Sequence, residues 1–138
     1  MVFVIYAHED SERVLAITSR LKDAGIDVWL DRERIVAGAR WQDAIMDALR
    51  RADNVIIVNS RALQSRGAGF FRRELGAALE RSQQLRTNRS FIFPVTIDDA
   101  PLLEELSQWQ AFDIDVEGGE QQLIESIHRY GYRRESSA

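Results

Sequence analysis

The chain has 138 residues, of which 45% are hydrophobic and 29% are charged, and these values are typical of one soluble globular domain with a substantial core. Its net charge of -4 argues against a main role in binding nucleic-acid phosphates, because proteins with that role carry a basic face. The chain contains no cysteine, which excludes disulfide bonds, thiolate zinc sites and cysteine nucleophiles. No apolar run reaches the length of a membrane span, about 18 residues, and no signal peptide begins the chain, so we expect a cytoplasmic protein.

Two strand–helix pairs are predicted in the first part of the chain. The apolar run at 2–6, "VFVIY", is typical of a strand buried on both faces, and 27–30 predicts a second, shorter strand. We expect Asp10 or Ser11 to cap the first helix and Gly25 to end it. The apolar stripes of the two helices are, in order, Val14, Ile17, Leu21 and Ala24, then Trp41, Ile45, Ala48, Leu49 and Ala52.

The rest of the chain continues this alternation. Residues 54–59, "NVIIVN", give the clearest strand pattern, and 60–69 is predicted to be a loop before a helix that starts at Phe71. A fourth strand is predicted at 90–95, with its end weakened by Pro94, and a short fifth strand at 111–114. The final helix is predicted from the apolar positions Leu123, Ile127 and Tyr130.

Alternating strands and helices predict an α/β fold, a flavodoxin-like three-layer sandwich with a five-stranded parallel sheet and helices on both faces. Ligands of such sheets bind beyond the carboxyl ends of the strands, where the loops gather. The candidate segments are therefore 6–10, 31–40, 59–69 and 98–99. Glu74 lies about one turn into the helix that follows the third of these segments, so its side chain can face the same crevice.

Several known functions of this architecture do not fit the residues at these positions. A phospho-acceptor domain needs an aspartate at the end of the third strand, where this chain has Asn59 and Ser60. The segment "AHEDSE" after the first strand is too acidic for a flavin phosphate loop, and no GxGxxG or Walker-type loop occurs. His8 and His128 are far apart and lack obvious partners, so we expect no metal site, and no Ser/His/Asp set is evident.

Three segments together resemble the Toll/interleukin-1 receptor (TIR) domain family. "VFVIYAHED" is similar to the family's opening box, F-I-S-Y-x-H-x-D, and the stretch "DVWLDRERIVAGARWQDAIMDALRRADNVIIVNS" matches the spacing of its next conserved part. "GFFRREL" resembles the segment in which many members have W-x-x-x-E-L. The resemblance extends from residue 2 to about residue 98 and, more weakly, to residue 130. It implies a TIR domain over 1–134, with 135–138 a polar tail or the point where a longer protein was cut.

The resemblance also implies a reaction, because many bacterial and plant TIR domains, and one animal type, cleave the nicotinamide–ribose bond of NAD+. The family's catalytic glutamate corresponds to Glu74, which on local pattern alone would be a solvated residue on a helix surface. The chemistry is consistent with a single carboxylate. Nicotinamide leaves as a neutral molecule and needs no acid, whereas the positively charged, oxocarbenium-like ribose is stabilised by a nearby negative charge.

Further site residues follow from the resemblance. The substrate-binding candidates are Tyr6, Ala7, His8, Asp31, Ser60 and Phe70, and the assembly-loop candidates are Arg34, Ile35 and Gly38. Structural roles compete with several of them: Tyr6 is also typical of a core aromatic, Asp31 of a turn and Ser60 of a backbone-capping hydroxyl. The chain departs from the family at two positions, with Phe70 in place of tryptophan and Ala37 where many members have proline.

We therefore expect an NAD+ nucleosidase that is active on self-association with other TIR domains, with a role in immune or antiviral defence signalling. NAD+ is then a substrate, and we expect no cofactor, no metal, no direct nucleic-acid contact and no membrane contact. The product is either ADP-ribose or a cyclised isomer. Two alternatives stay open: a non-catalytic TIR adaptor, and an enzyme resembling nucleoside deoxyribosyltransferases, which would also use a glutamate.

Overall fold

A single parallel sheet forms the centre of the molecule. The computed structural model describes residues 1–30, 41–65, 70–85 and 87–133. The strands are β1 (Val2–Ile5), β2 (Val28–Leu30), β3 (Asn54–Asn59), β4 (Ile92–Thr96) and β5 (Phe112–Asp113). All four neighbouring pairs are parallel, and the order across the sheet is β2-β1-β3-β4-β5. This is the flavodoxin-like order, so the predicted fold class is confirmed.

Helices cover both faces of this sheet. They are α1 (Ser11–Asp23), α2 (Trp41–Arg51), α3 (Arg61–Ser65), α4 (Phe70–Gln84) and α5 (Gly119–Tyr130), with short 3-10 turns at His8–Asp10 and Glu104–Leu106. Residues of α1 and α5 pack in one buried cluster, and residues of α2, α3 and α4 pack in the other. The result is the three-layer sandwich that the alternating sequence pattern predicts.

The two clusters divide the strand residues by parity. Phe3 and Ile5 of β1 belong to the cluster with α2 and α4, whereas Val2 and Val4 belong to the cluster with α1 and α5. This division follows from the alternation of side chains along a strand. Since both faces are covered, all the residues of β1 and β3 are buried, which explains why their sequences are apolar runs rather than alternating patterns.

Several local predictions need correction. The predicted loop at 60–69 contains α3. Pro94 lies in the middle of β4 rather than near its end, and β5 pairs with β4 only at Val95 and Thr96, which follow the proline. Asp10 is the N-cap residue of α1, but neither its side chain nor that of Ser11 makes the predicted cap hydrogen bond. Tyr130 is 57% exposed and therefore does not complete the apolar stripe of α5. The side chains of Trp41, Ile45 and Phe71, which were predicted on the helix stripes, lie outside the described part of the chain.

Candidate functional site

The carboxyl ends of β1 and β3 define the candidate site. These two strands are neighbours, and the chain leaves β1 towards β2 on one side of the sheet order and leaves β3 towards β4 on the other. Loops that diverge in this way leave a crevice at the topological switch point, which is the usual ligand position in open α/β sheets. The first loop begins at Tyr6, and the third begins at Ser60.

The first loop is a short, internally bonded turn. Ala7 is only 1% exposed and packs in the cluster with α2 and α4, whereas Tyr6 is half-buried and packs against the opposite cluster. The backbone N–H of Asp10 donates to the carbonyl of Ala7 at 2.9 Å, and the hydroxyl of Ser11 donates to the carbonyl of His8 at 2.5 Å. His8 is exposed on this turn and therefore accessible from solvent.

At the start of the third loop, Ser60 is completely buried. Its hydroxyl donates to Oδ2 of Asp10 at 2.5 Å and accepts the backbone N–H of Leu63 at 3.0 Å. The second bond caps α3, so the capping role left open by the sequence is one that Ser60 performs. The first bond joins two loops that are 50 positions apart in the chain, and no local pattern predicts it.

The residue before Ser60 makes a second set of bonds. Asn59 is fully buried, and its Oδ1 accepts the backbone N–H of Leu103 at 3.0 Å and Nε2 of Gln64 at 3.1 Å. Its Nδ2 donates to the carbonyl of Pro101 at 3.2 Å. Asn59 thus fixes the segment after β4 against the end of β3, a role that the strand pattern did not indicate.

The residue after Ser60 completes this arrangement. The backbone N–H of Arg61 donates to Oδ2 of Asp98 at 2.9 Å, and its guanidinium is hydrogen-bonded and ion-paired to Asp99. That hydrogen bond lowers the pKa of Asp99 and raises the pKa of Arg61. We call Asn59, Ser60 and Arg61 the β3 hub, since three consecutive residues hold the first loop and the segment 98–103 at one edge of the sheet.

Glu74 is buried rather than solvated. Its side chain is 2% exposed, and its helical neighbours Leu75 and Ala78 are 3% and 0% exposed. Helix α4 packs against α2, β1 and β4 and, as a crossover helix, runs antiparallel to the strands, which places its first turns towards their carboxyl ends. Burying a carboxylate is costly, and Glu80 on the same helix is exposed. The interpretation of Glu74 as an ordinary surface residue is therefore wrong.

Other predicted site residues fall outside the described residues. These are Asp31 and the assembly-loop residues Arg34, Ile35 and Gly38. Phe70 is described as the first residue of α4, but its side chain is not. Within the described part of the chain, no group of three His, Asp or Glu side chains is placed to hold a metal ion, and no helix is long and apolar enough to cross a membrane.

A separate concavity lies away from Glu74, in the layer formed by α1 and α5. It has a volume of about 770 Å³ and is lined by the end of α1, the segment 114–118 and the start of α5. Arg20 at its edge is ion-paired to Glu120. Neither Glu74 nor the β3 hub contributes to this groove, so the buried carboxylate and the groove occupy opposite sides of the sheet.

Comparison with known families gives a match to one model, described as the TIR domain, over residues 2–127. A search of curated protein sequences gave no match. Among solved structures, the TIR domain of the Toll-related receptor TRR-2 from Hydra magnipapillata is similar, with a TM-score of 0.76 and 20% identity. That match covers 93% of this chain and 98% of the Hydra domain.

Two further structures share the fold. A TIR-STING receptor from C. gigas aligns with a TM-score of 0.71 and 23% identity over 94% of this chain, but over only 40% of its own length. The TIR domains of the activated Roq1 resistosome, which directly recognises the pathogen effector XopQ, align with a TM-score of 0.70 and 18% identity. This match covers 93% of the present chain and 96% of the Roq1 chain. At these identities the likeness concerns the fold.

Proposed function

The chain belongs to the TIR-domain family, and we propose that it cleaves the nicotinamide–ribose bond of NAD+ with Glu74 as the catalytic carboxylate. The observation that carries this proposal is the burial of Glu74, 2% exposed, near the start of α4 and on the side of the sheet where the β1 and β3 loops gather. A carboxylate kept in the interior near the carboxyl ends of the strands, where ligands of such sheets bind, is typical of a functional group rather than of a solvated helix face.

The reaction requires charge stabilisation more than proton transfer. As the C–N bond breaks, its electron pair goes to the nicotinamide nitrogen, which becomes neutral, and positive charge develops on the ribose. A carboxylate beside the ribose stabilises this cation more than it stabilises the ground state, and its effect is larger away from water. Capture of the cation by water then gives ADP-ribose and one proton. Capture by a group on the adenine side gives a cyclised isomer instead.

The loops around Glu74 are proposed to hold the dinucleotide. Ala7 and His8 form part of the first loop, and we assign Tyr6, Asp31 and Phe70 to substrate contact with them on the basis of the family resemblance. Phe70 provides an aromatic face for stacking on a flat ring, although it lacks the indole N–H of the tryptophan found in many members. Neither a metal nor a cofactor takes part in this proposal.

Self-association is proposed to activate the domain. In the TIR family, the loop that corresponds to 31–40 packs against a neighbouring TIR domain. This chain has Arg34, Ile35 and Gly38 at the corresponding positions. The similarity of fold to TIR domains of an activated resistosome supports such an assembly and a role in immune or defence signalling.

The proposal is tested by incubating the protein at high concentration with NAD+ and measuring released nicotinamide. Glu74→Gln removes the charge with little change of shape, and we expect at least about a 100-fold lower rate. Glu80→Gln is the matched control, since it makes the same change at an exposed position of the same helix and should leave the rate unchanged. Equal rates for Glu74→Gln and wild type would show that Glu74 is not the catalytic group.

A non-catalytic adaptor is the second candidate, and the phenylalanine at position 70 favours it because many members have tryptophan there. In this case wild-type protein releases no nicotinamide, even when fused to a module that forces assembly. Association would still depend on the assembly loop, so Ile35→Asp should lower the self-associated fraction measured by light scattering.

A further inference from the structure

The N-cap residue of α1 uses its side chain in an unusual way. Asp is among the residues preferred at this position because its carboxylate can accept an N–H from the first helical turn. Asp10 occupies the position but makes no such bond, and its Oδ2 instead accepts the hydroxyl of Ser60 at 2.5 Å. The carboxylate is thus directed away from its own helix and towards the end of β3.

This bond links two parts that are each held by hydrogen bonds of their own. On one side, the 3-10 turn that carries Asp10 is closed by the Asp10-to-Ala7 and Ser11-to-His8 hydrogen bonds. On the other side, the hydroxyl of Ser60 accepts the N–H of Leu63 while it donates to Asp10. Consecutive hydrogen bonds of this kind polarise one another, and a charged acceptor strengthens them further.

The hydrogen bond between Ser60 and Asp10 lies where the loops after β1 and β3 begin. β1 and β3 are adjacent in the sheet, with Ile5 opposite Ile57, and their loops diverge beyond this point. Ser60 is completely buried, so its hydroxyl is shielded from water and is already engaged by protein atoms at both its donor and one acceptor position. Its contribution to a ligand site is therefore made through the residues that it holds.

We propose that Asp10 and Ser60 form an interloop latch that sets the position of Ala7 and His8 for the dinucleotide, with Asp10 as a positioning residue. This inference rests on the proposed NAD+ cleavage and adds to it a group that does not touch the substrate. It also changes the expected role of Ser60, from direct substrate contact to support of the first loop.

The test compares Asp10→Ala, Asp10→Asn and Glu12→Ala by steady-state kinetics of nicotinamide release. Asp10→Ala removes the acceptor and is expected to raise KM about 10-fold while kcat changes less than about 2-fold, because a displaced loop weakens binding. Asp10→Asn keeps an oxygen acceptor and should restore KM to within about 3-fold of wild type. Glu12→Ala removes an exposed acid from the first turn of the same helix and should leave both constants unchanged.

A purely structural role would give a different result. Loss of folded protein lowers the apparent kcat of Asp10→Ala and leaves KM unchanged, and this outcome would overturn the latch as a positioning device.

A readout independent of turnover separates this inference from the proposed reaction. Amide hydrogen exchange at Leu63 reports the bond to Ser60, and Asp10→Ala should accelerate it about 10-fold, whereas Glu12→Ala should not. If wild-type protein releases no nicotinamide, the proposed function fails, and the exchange measurement still decides on the latch. Unchanged exchange at Leu63 in Asp10→Ala would then overturn it.

Discussion

The two ends of β3 carry the same residue type in different surroundings. At the amino end, Asn54 is 4% exposed, and its Nδ2 donates to the carbonyls of Ser90 and Tyr132 at 3.0 and 3.1 Å. At the carboxyl end, Asn59 is fully buried and uses both its amide oxygen and its amide nitrogen. Both side chains satisfy buried polar groups, but only Asn59 is followed by further polar residues that reach other loops.

Asn54 therefore reinforces a contact between segments that the backbone already joins, whereas Asn59 helps to position loops. Around Asn54 the partners are backbone carbonyls, and the backbone bond from Tyr132 to Ser90 at 2.8 Å already joins the same segments. Around Asn59 the side chains of Asn59 and Ser60 and the backbone N–H of Arg61 make the bonds, and these bonds hold loops that have no strand ladder of their own. Loops held by a few side chains on a rigid sheet are where binding residues are usually placed.

The largest effect is expected for Asn59→Ala. It breaks the bonds to Leu103, Gln64 and Pro101 in a buried site, and we expect the free energy of unfolding to fall by about 3 kcal/mol. Because the segment 98–103 is released, nicotinamide release per folded molecule should fall as well, by about 10-fold. Chemical denaturation and the NAD+ assay measure these two quantities. A variant with full activity per folded molecule would contradict the positioning role of Asn59.

A smaller and purely structural effect is expected for Asn54→Ala. Two bonds to partly buried carbonyls are lost, so the free energy of unfolding should fall by about 2 kcal/mol. Activity per folded molecule should stay at the wild-type level, since the nearby backbone bonds remain. If Asn54→Ala and Asn59→Ala lowered activity to the same extent, the distinction between the two ends of β3 would be lost.

The smallest effect is expected for the exposed ion pair between Arg61 of the β3 hub and Asp99. The hydrogen bond from Arg61 keeps the pKa of Asp99 below its ordinary value, so an NMR titration of Arg61→Ala should show a higher Asp99 midpoint than wild type. A pKa lowered by folding means that the pair stabilises the fold above about pH 4 and that this contribution is lost as the pH falls through the folded-state value. Added salt should shrink the difference in midpoint because the pair is exposed. Identical midpoints in the two proteins would show that the pair does not persist in solution.

The sequence predicts what is local and repetitive in this molecule. The bounds of β3 agree with the apolar run 54–59, and the buried positions Val14, Ile17 and Leu21 of α1 agree with the helical stripe. Helix α3 is not predicted because five residues are too few to show a helical period. The strand β4 continues past Pro94 because it pairs with β3 as far as Thr96, and this pairing is not evident in the sequence.

The features of the candidate site also divide into those that the sequence predicts and those that only the structure shows. Glu74 was identified through resemblance to a family, whereas its burial depends on how α4 packs against the sheet. The bond between Asp10 and Ser60 joins residues that no periodicity relates, and the local rule for Asp10 predicted a helix cap instead. Long-range polar contacts of this kind follow from topology, which brings the ends of β1 and β3 together.

The placement of the NAD+ site at the carboxyl ends of β1 and β3 is tested most directly by an amide NMR titration of the protein with NAD+. We predict that the signals that shift most belong to Ala7, His8 and the β3 hub at the carboxyl end of the sheet, together with the first turns of α4. Signals of Asn54, Ser90 and Tyr132 at the amino end should stay in place. Shifts confined to the amino end, or to the groove between α1 and α5, would contradict the placement of the site at the carboxyl ends of β1 and β3.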